Sequence, residues 1–298
     1  MSGAEHNWYY TTARPVLELR GEGILDFLNR ISTNDLAALP AGRMLGTIFL
    51  NEKGRYIDGA EVIPLGSSVL LVGIGTKRGT LVSWLRKFII MEDISVTDAA
   101  QFSAVHTVFR ESAEPAAGAV AGASEPVNRT DGRLAYRTPI WTGTEIVVTA
   151  DPASAAGMLP GKPLTQEKYD QMRIESGIPS PGTELTEEYN PLEMSLQRLI
   201  SFTKGCYTGQ EVIARIDSYK KLRRRLTRII SADPDRELRP GMIVFDDSRI
   251  YGKVTSACRS AVSSRWIGLG YRALTPDQGA GGDAVPVRFT DLPYSRTE

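Results

Sequence analysis

Ile24, Phe27, Leu28 and Ile31 recur at the three- and four-residue spacing of a buried helical face, so "GILDFLNRIS" reads as an amphipathic helix. It follows "RPVLELRG" (14–21), a strand pattern closed by a turn. "MLGTIFLNEKGRYIDGAEVIPL" gives two strands around a turn at "NEKG", and "SVLLVGI" gives another. Leu81, Leu85 and Phe88, with Trp84 beside them, mark a second helix in "KRGTLVSWLRKFII". Strands return at "DISVTDA", "FSAVHTVF", "LAYRTPIW" and "TEIVVTA". A helix then occupies "TQEKYDQMRIESG", with Thr165 as its cap and Gly177 as its stop.

Strands with a few inserted helices favour an α+β fold with antiparallel sheet over a doubly wound parallel one. No strand leads into a G-x-G-x-x-G phosphate loop. After residue 220, short strands ("LTRIIS", "MIVF", "IYGKVTS", "WIGLGYR", "AVPVRF") alternate with Gly, Pro and Asp turns, the texture of a small all-β barrel or sandwich. The boundary is placed at "SYKKLRRRL", giving a body at 1–219 and a C-terminal barrel at 220–298. The Ala-, Gly-, Pro- and Ser-rich stretch 111–126 is expected to be a flexible loop.

Composition narrows the functional classes. The 298 residues have room for two domains, and 42% hydrophobic residues supply a core. Since 35 basic residues balance 35 acidic ones, no global charge points to nucleic acid or an anionic membrane. No stretch reaches the roughly 20 apolar residues of a membrane span. The opening "MSGAEHNWYYTTARP" lacks the apolar segment of a secretory signal. Two cysteines make no disulfide framework, so the expected compartment is the cytoplasm. His6, His106, Cys206 and Cys258 show no paired ligand spacing, and no protein-held metal is expected. Neither histidine neighbours Cys206 or a serine signature, so no hydrolytic triad is legible.

Three stretches carry candidate chemistry. In "TKGCYTGQEVIAR" (203–215), Thr208 and Glu211 fit a capping box, with Val212, Ile213 and Ile216 as the buried stripe of the helix that follows. Cys206 precedes that helix start and Lys204 adds a cation, both of which favour thiolate. The same residues also describe a small cysteine buried in a tight turn, the commoner arrangement. In "RIESG" (173–177), Glu175 offers a carboxylate that can accept two parallel N–H bonds, although a helical glutamate is usually a solvated one. The basic run Lys220, Lys221, Arg223, Arg224, Arg225 and Arg228 reads first as a solvated crossing into the barrel and second as a nucleic-acid patch.

"KGCYTGQE" (204–211) closely resembles the signature of the YgfZ-type folate-binding proteins, which are implicated in iron–sulfur protein maturation. "FLNRISTNDLAALPAG" and "RIESGIPSPGTELTEEYNPLEMSL" resemble segments of the wider family that includes the glycine-cleavage T-protein, a tetrahydrofolate-dependent aminomethyltransferase. The resemblance runs from about residue 14 to the end. It implies a folate-binding body of ferredoxin-like antiparallel sheets with helices, made of two interleaved subdomains, followed by the small barrel. It places Glu175 on the pterin-gripping glutamate, Cys206 on the signature cysteine, and Asn34 and Asp35 on a cavity-lining turn. Arg173 and Lys204 are carried over as further folate-site residues. Tetrahydrofolate is the implied ligand, and iron–sulfur client or assembly proteins are the implied partners. In the transferases the segment matching "GRYIDGAEV" holds an Asp-Asp pair; here it reads Asp58-Gly59, which puts aminomethyl transfer in doubt. Two other functions follow from the same resemblance: a folate-dependent aminomethyl- or methyltransferase using Asp58, and an accessory to tRNA modification that binds RNA through 220–228.

Overall fold

The computed structural model describes residues 7–75, 77–110, 124–130, 132–138, 144–153, 158–159, 161–247, 250–275 and 284–292. Its contacts divide the chain into two compact units, 1–164 with 198–210 and 165–197 with 211–298.

The first unit holds strands β1 (Asn7–Thr12), β2 (Val16–Gly21), β3 (Arg43–Leu50), β4 (Tyr56–Pro64), β5 (Ser68–Gly73), β6 (Ile94–Asp98) and β7 (Ala104–Arg110). It continues with β8 (Glu125–Pro126), β9 (Asn128–Thr130), β10 (Arg133–Arg137), β11 (Thr144–Thr149) and β12 (Lys162–Pro163). Helices α1 (Ile24–Ile31) and α2 (Arg78–Phe88) interrupt the strands. Two six-stranded sheets result, ordered β6-β2-β5-β4-β3-β8 and β12-β1-β7-β11-β10-β9. Chain order alternates between them, and every pairing is antiparallel except β1 with β12. The loop expected at 111–126 lies, up to residue 123, outside the described residues; its last two residues form β8.

The stripe Ile24, Phe27, Leu28 and Ile31 packs with Leu81, Trp84 and Leu85 onto Leu17, Leu19, Ala60 and Val62, covering one face of the first sheet. By alternation Glu61 points to the opposite face. There it is fully buried, pairs with Arg14 at 2.5 Å and accepts the Tyr136 hydroxyl of β10 at 2.9 Å. Arg14 Nε also donates to the Gly73 carbonyl at 2.6 Å. A buried charge pair survives only when such extra bonds satisfy it, and removing one partner costs about 3–5 kcal/mol. Both faces of β4 are therefore covered, which is why its sequence shows no apolar–polar alternation.

The second unit holds α3 (Gln166–Ser176), all but the first residue of α4 (Gln210–Ser218), and a closed barrel. Its strands are β13 (Arg224–Ser231), β14 (Ile243–Phe245), β15 (Tyr251–Arg259), β16 (Trp266–Ala273) and β17 (Val285–Thr290), in the order β13-β16-β15-β14-β17. Thr165 caps α3 by accepting the Lys168 N–H, and Gly177 ends it in the left-handed conformation, as its sequence predicts. Residues 165–197 cluster with the barrel because Arg173 and Glu184, both buried, reach Ser256 of β15 at 3.0 and 2.6 Å. The boundary expected at 219/220 thus falls inside this unit. No helix among the described residues is long and apolar enough to cross a membrane.

His106 of β7 is fully buried between Thr11 and Thr149, each 2.9 Å from a ring nitrogen. The Thr149 hydroxyl donates to the Asp151 carbonyl, so it accepts from Nε2–H, and Nδ1 accepts from Thr11. Burial pushes this imidazole down to about 4 from 6.5. Between those values the unfolded chain binds more protons than the folded one, so the stability this site contributes is lost as pH falls from 6.5 toward 4. The loss should approach about 3 kcal/mol. Urea unfolding of wild type and His106→Gln at pH 7 and pH 4.5 checks it: the wild type should lose more stability than the variant on acidification.

Candidate functional site

The cysteine signature sits on a segment of the first unit, 198–210, anchored along its length. Thr33 Oγ1 donates to the Leu199 carbonyl at 2.7 Å, and the Ser201 N–H donates to the Thr33 carbonyl at 3.0 Å. Lys204 then spends all three ammonium protons on backbone carbonyls at the end of α1: Asn29 at 2.6 Å, Ser32 at 2.9 Å and Asn34 at 2.6 Å. Burial pushes this lysine down to about 8, against the pull of the Asp35 carboxylate. Tyr207 is buried, and its phenol is pushed up to about 12 by that burial. Gly209 lies at φ 81°, and a Cβ there would sit 2.6 Å from the Asn51 carbonyl of the "NEKG" turn. Only glycine accepts both the left-handed backbone and that approach. Between these two anchors Cys206 is exposed. The helix start differs from the expected capping box: the side chain reaching back is that of Gln210, 3.3 Å from the Tyr207 N–H. In α4 Ile213 is buried, while Val212 and Ile216 are half-buried.

Asp58 lies beside a bulge, since Phe49 pairs with Asp58 but Leu50 with Tyr56. It is buried, and its Oδ1 accepts the N–H groups of Gly59 at 2.7 Å and Gly75 at 2.8 Å and the Tyr56 hydroxyl at 3.3 Å. Burial raises its carboxyl above the usual range, opposed by those bonds. Gly59 faces the other way, where a Cβ would collide with Cδ1 of Ile74.

Asn34 is fully buried, its amide donating to the Gly46 carbonyl at 2.8 Å and its Oδ1 accepting the Asp35 N–H at 3.0 Å. Asp35 is exposed and bonds the Ala37 N–H. In the second unit Arg173 is buried, bonded to Asp170 at 2.6 Å, Ser256 at 3.0 Å, and Glu184 and the Ile178 carbonyl at 3.4 Å. Glu175 is half-buried, and its Oε1 accepts the Ala261 N–H at 2.7 Å. Cys258 is half-buried on β15 against the Gln171 carbonyl, and burial pushes its thiol up to about 12. The candidates thus fall on both units: Asn34, Asp35, Asp58, Lys204 and Cys206 on the first, Arg173 and Glu175 on the second. Lys204 and Asn34 are brought together directly.

The chain is 28% identical over 277 residues to the human mitochondrial iron–sulfur cluster assembly factor IBA57, covering 83% of this chain and 73% of that one. It is 24% identical over 294 residues to an aminomethyltransferase of Thermotoga neapolitana, covering 91% and 78%. The solved structure of aminomethyltransferase T of the Bartonella henselae glycine cleavage system shares its fold, with TM-score 0.71 and 17% identity over 91% of this chain and 79% of that one. A YgfZ-type member of the aminomethyltransferase-like family fits both likenesses. No family model matches the chain. A chloroplastic candidate transferase of Arabidopsis thaliana is 26% identical over 277 residues, which cover 86% of this chain but only 62% of that longer protein.

Within this GcvT-like fold, Gly59 stands where the transferase resemblance places a second aspartate, and Ile74 fills the space its side chain would take. Gly59→Asp should therefore destabilise the protein by about 1–3 kcal/mol through overpacking. Pairing it with Ile74→Ala should restore part of the loss in chemical denaturation.

Sequence reasoning named Lys204 without its acceptors, which lie up to 175 residues away. Lys204→Met leaves three carbonyls without their ammonium and should cost about 2 kcal/mol at pH 7. Between about 8 and 10.5 the folded lysine holds fewer protons than the unfolded one, so its contribution to stability grows as pH rises through that window. Unfolding free energies at pH 7.5 and pH 10 should show the gap between wild type and variant widening at the higher pH.

Proposed function

We propose that the chain binds tetrahydrofolate and assists the assembly or repair of iron–sulfur proteins, with Cys206 as its reactive thiol. The observation that carries this reading is the placement of Cys206, exposed between an ammonium anchor and a glycine contact while the other cysteine is packed against α3. Kinship with an iron–sulfur assembly factor supports it. An exposed thiol on a held backbone can give up its proton to solvent, ligate an iron delivered by a partner as thiolate, and be released when another thiolate takes its place.

Glu175 is the candidate pterin anchor. One of its oxygens already accepts the Ala261 N–H, so a two-point grip requires that bond to be exchanged for one from the pterin. Asn34 and Lys204 in the first unit and Arg173 in the second have side chains bonded to protein, so the part of each is to hold the backbone of its own unit. Asp58 is the group a transferase reaction would use, and kinship with aminomethyltransferases is the support for that second reading. The filled space at Gly59 weighs against it.

Two measurements test the proposal separately. Calorimetric titration with tetrahydrofolate should show Glu175→Gln binding roughly ten- to hundredfold more weakly than wild type; equal affinity removes Glu175 from the site. Alkylation near neutral pH should be fast in Cys258→Ala and slowed by bound folate. It should be slow and indifferent to folate in Cys206→Ala. A slow reaction in Cys258→Ala refutes the reactive-thiol assignment and leaves the folate result standing.

A further inference from the structure

Four contacts close a ring at one end of the first unit. Lys204 of the signature segment bonds the end of α1 at Asn29 and Ser32. Arg30, the next residue of α1, pairs at 3.3 Å with Glu92, which lies just past α2. Lys87, in the last turn of α2, pairs at 3.3 Å with Glu52 of the "NEKG" turn. That turn comes back to the signature segment, where the Asn51 carbonyl lies against Gly209. The link between α2 and β6, residues 89–93, therefore stands at the same end of the unit as Cys206. It carries Ile90, 83% exposed, and Met91, 94% exposed. Phe202, 40% exposed, lies on the signature segment itself, four residues before the thiol. Among the described residues of the first unit, Met158 is the one other large apolar side chain left so open.

The tip at Ile90 and Met91 is held in shape. Glu92 Oε2 accepts the N–H groups of Ile90 at 3.0 Å and Met91 at 3.2 Å, while its Oε1 takes Arg30. Behind it Phe88 and Ile89 pack against the core of the first sheet. Large apolar side chains fixed in water are unfavourable, and they become anchors when a partner's pocket takes them. Methionine, unbranched and polarizable, adapts to pockets of varied shape. We propose that Ile90 and Met91, with Phe202, form the docking surface for a partner protein that brings iron on its own cysteine thiolates to Cys206. Such a carrier presupposes Cys206 as the iron-accepting thiol, so the docking rests on that reading. Once the carrier is seated, the Cys206 thiolate replaces one carrier thiolate at the iron, which keeps its oxidation state. The displaced thiolate takes a proton from solvent. Three side chains offer a few hundred Å², against about 800 Å² per partner in a stable interface, which suits a carrier that leaves after transfer over a permanent second copy. Arg86 and Lys87 before the tip are matched by Glu92 and Asp93 after it, so the tip lacks the basic rim of an element that enters an anionic membrane.

The test puts the photo-cross-linker benzoylphenylalanine in place of Met91, Phe202 or, as a control, Met158, in the full chain in its native cells, and identifies adducts by mass spectrometry. One cysteine-containing protein should appear at 91 and 202 and be missing at 158. Purified and loaded with iron, it should bind Ile90→Asp and Met91→Asp roughly tenfold or more weakly than wild type. Below saturation, its iron should reach Cys206 of these variants correspondingly more slowly. Both substituted side chains are exposed, so the variants should fold and their Cys206 should be alkylated at the wild-type rate. Absence of an adduct specific to 91 and 202 overturns the proposal, as does an adduct with a second copy of the chain. So does a captured protein that holds no iron or that binds the variants as tightly as wild type, and so does flotation of the chain with anionic vesicles that Ile90→Asp abolishes. Slow alkylation of Cys206 in Cys258→Ala removes the reading beneath the proposal. Fast alkylation together with any of the overturning results removes the docking surface alone.

Discussion

One ammonium group organises the candidate site. Lys204 gathers the carbonyls of Asn29, Ser32 and Asn34, and so ties the signature segment to the end of α1 and to the turn that leads into β3. Carbonyls at the C-terminal end of a helix have no partner within it and carry the negative end of its dipole, so a cation there answers both needs at once. Upstream of Lys204, the bonds of Thr33 with Leu199 and Ser201 hold the same segment. The contact of Gly209 with Asn51 sets the far end, and the two together leave Cys206 outside on a backbone that is not free to move.

Much of this was legible in the sequence, and the remainder has a common cause. Periodicity located α1, α2, α3 and the five barrel strands, because each satisfies its local pattern: an apolar stripe in α1, a cap and a glycine stop in α3, turn residues between the barrel strands. It missed β1 and the short strands β9 and β12, which exist only because distant strands pair with them. The sorting of strands into two sheets was equally hidden, for nothing in "NWYYTT" says that its neighbour is a strand about a hundred residues on. The site behaved in the same way. Cys206 was singled out by residue type and setting and Glu175 by resemblance, whereas most of the bonds that engage Lys204 and Arg173 run to residues 11 to 175 positions away.

The two units use the same device to hold their layers. In the first, the Arg14–Glu61 pair and the Tyr136 hydroxyl join one sheet to the other. In the second, Arg173 and Glu184 join α3 and the segment after it to β15. Buried charges contribute little net stability over a well-packed apolar core, but an unpaired one is costly, so each network penalises any packing that separates its members. Central strands such as β4 and β5, buried along almost their whole length, would otherwise slide with little loss of apolar contact.

The span of the lysine contact also bears on the order in which the protein is made. Synthesis proceeds from the N-terminus, at a rate on the order of 5–20 residues per second, so α1 is made roughly 9–35 seconds before the residue that completes it. During that interval its final carbonyls face water, and the turn at Asn34 lacks its fixed geometry. The signature segment is then held only after about two-thirds of the chain has been synthesised. Cys206 remains exposed after that step, so closure around Lys204 fixes where the thiol stands and does not shield it.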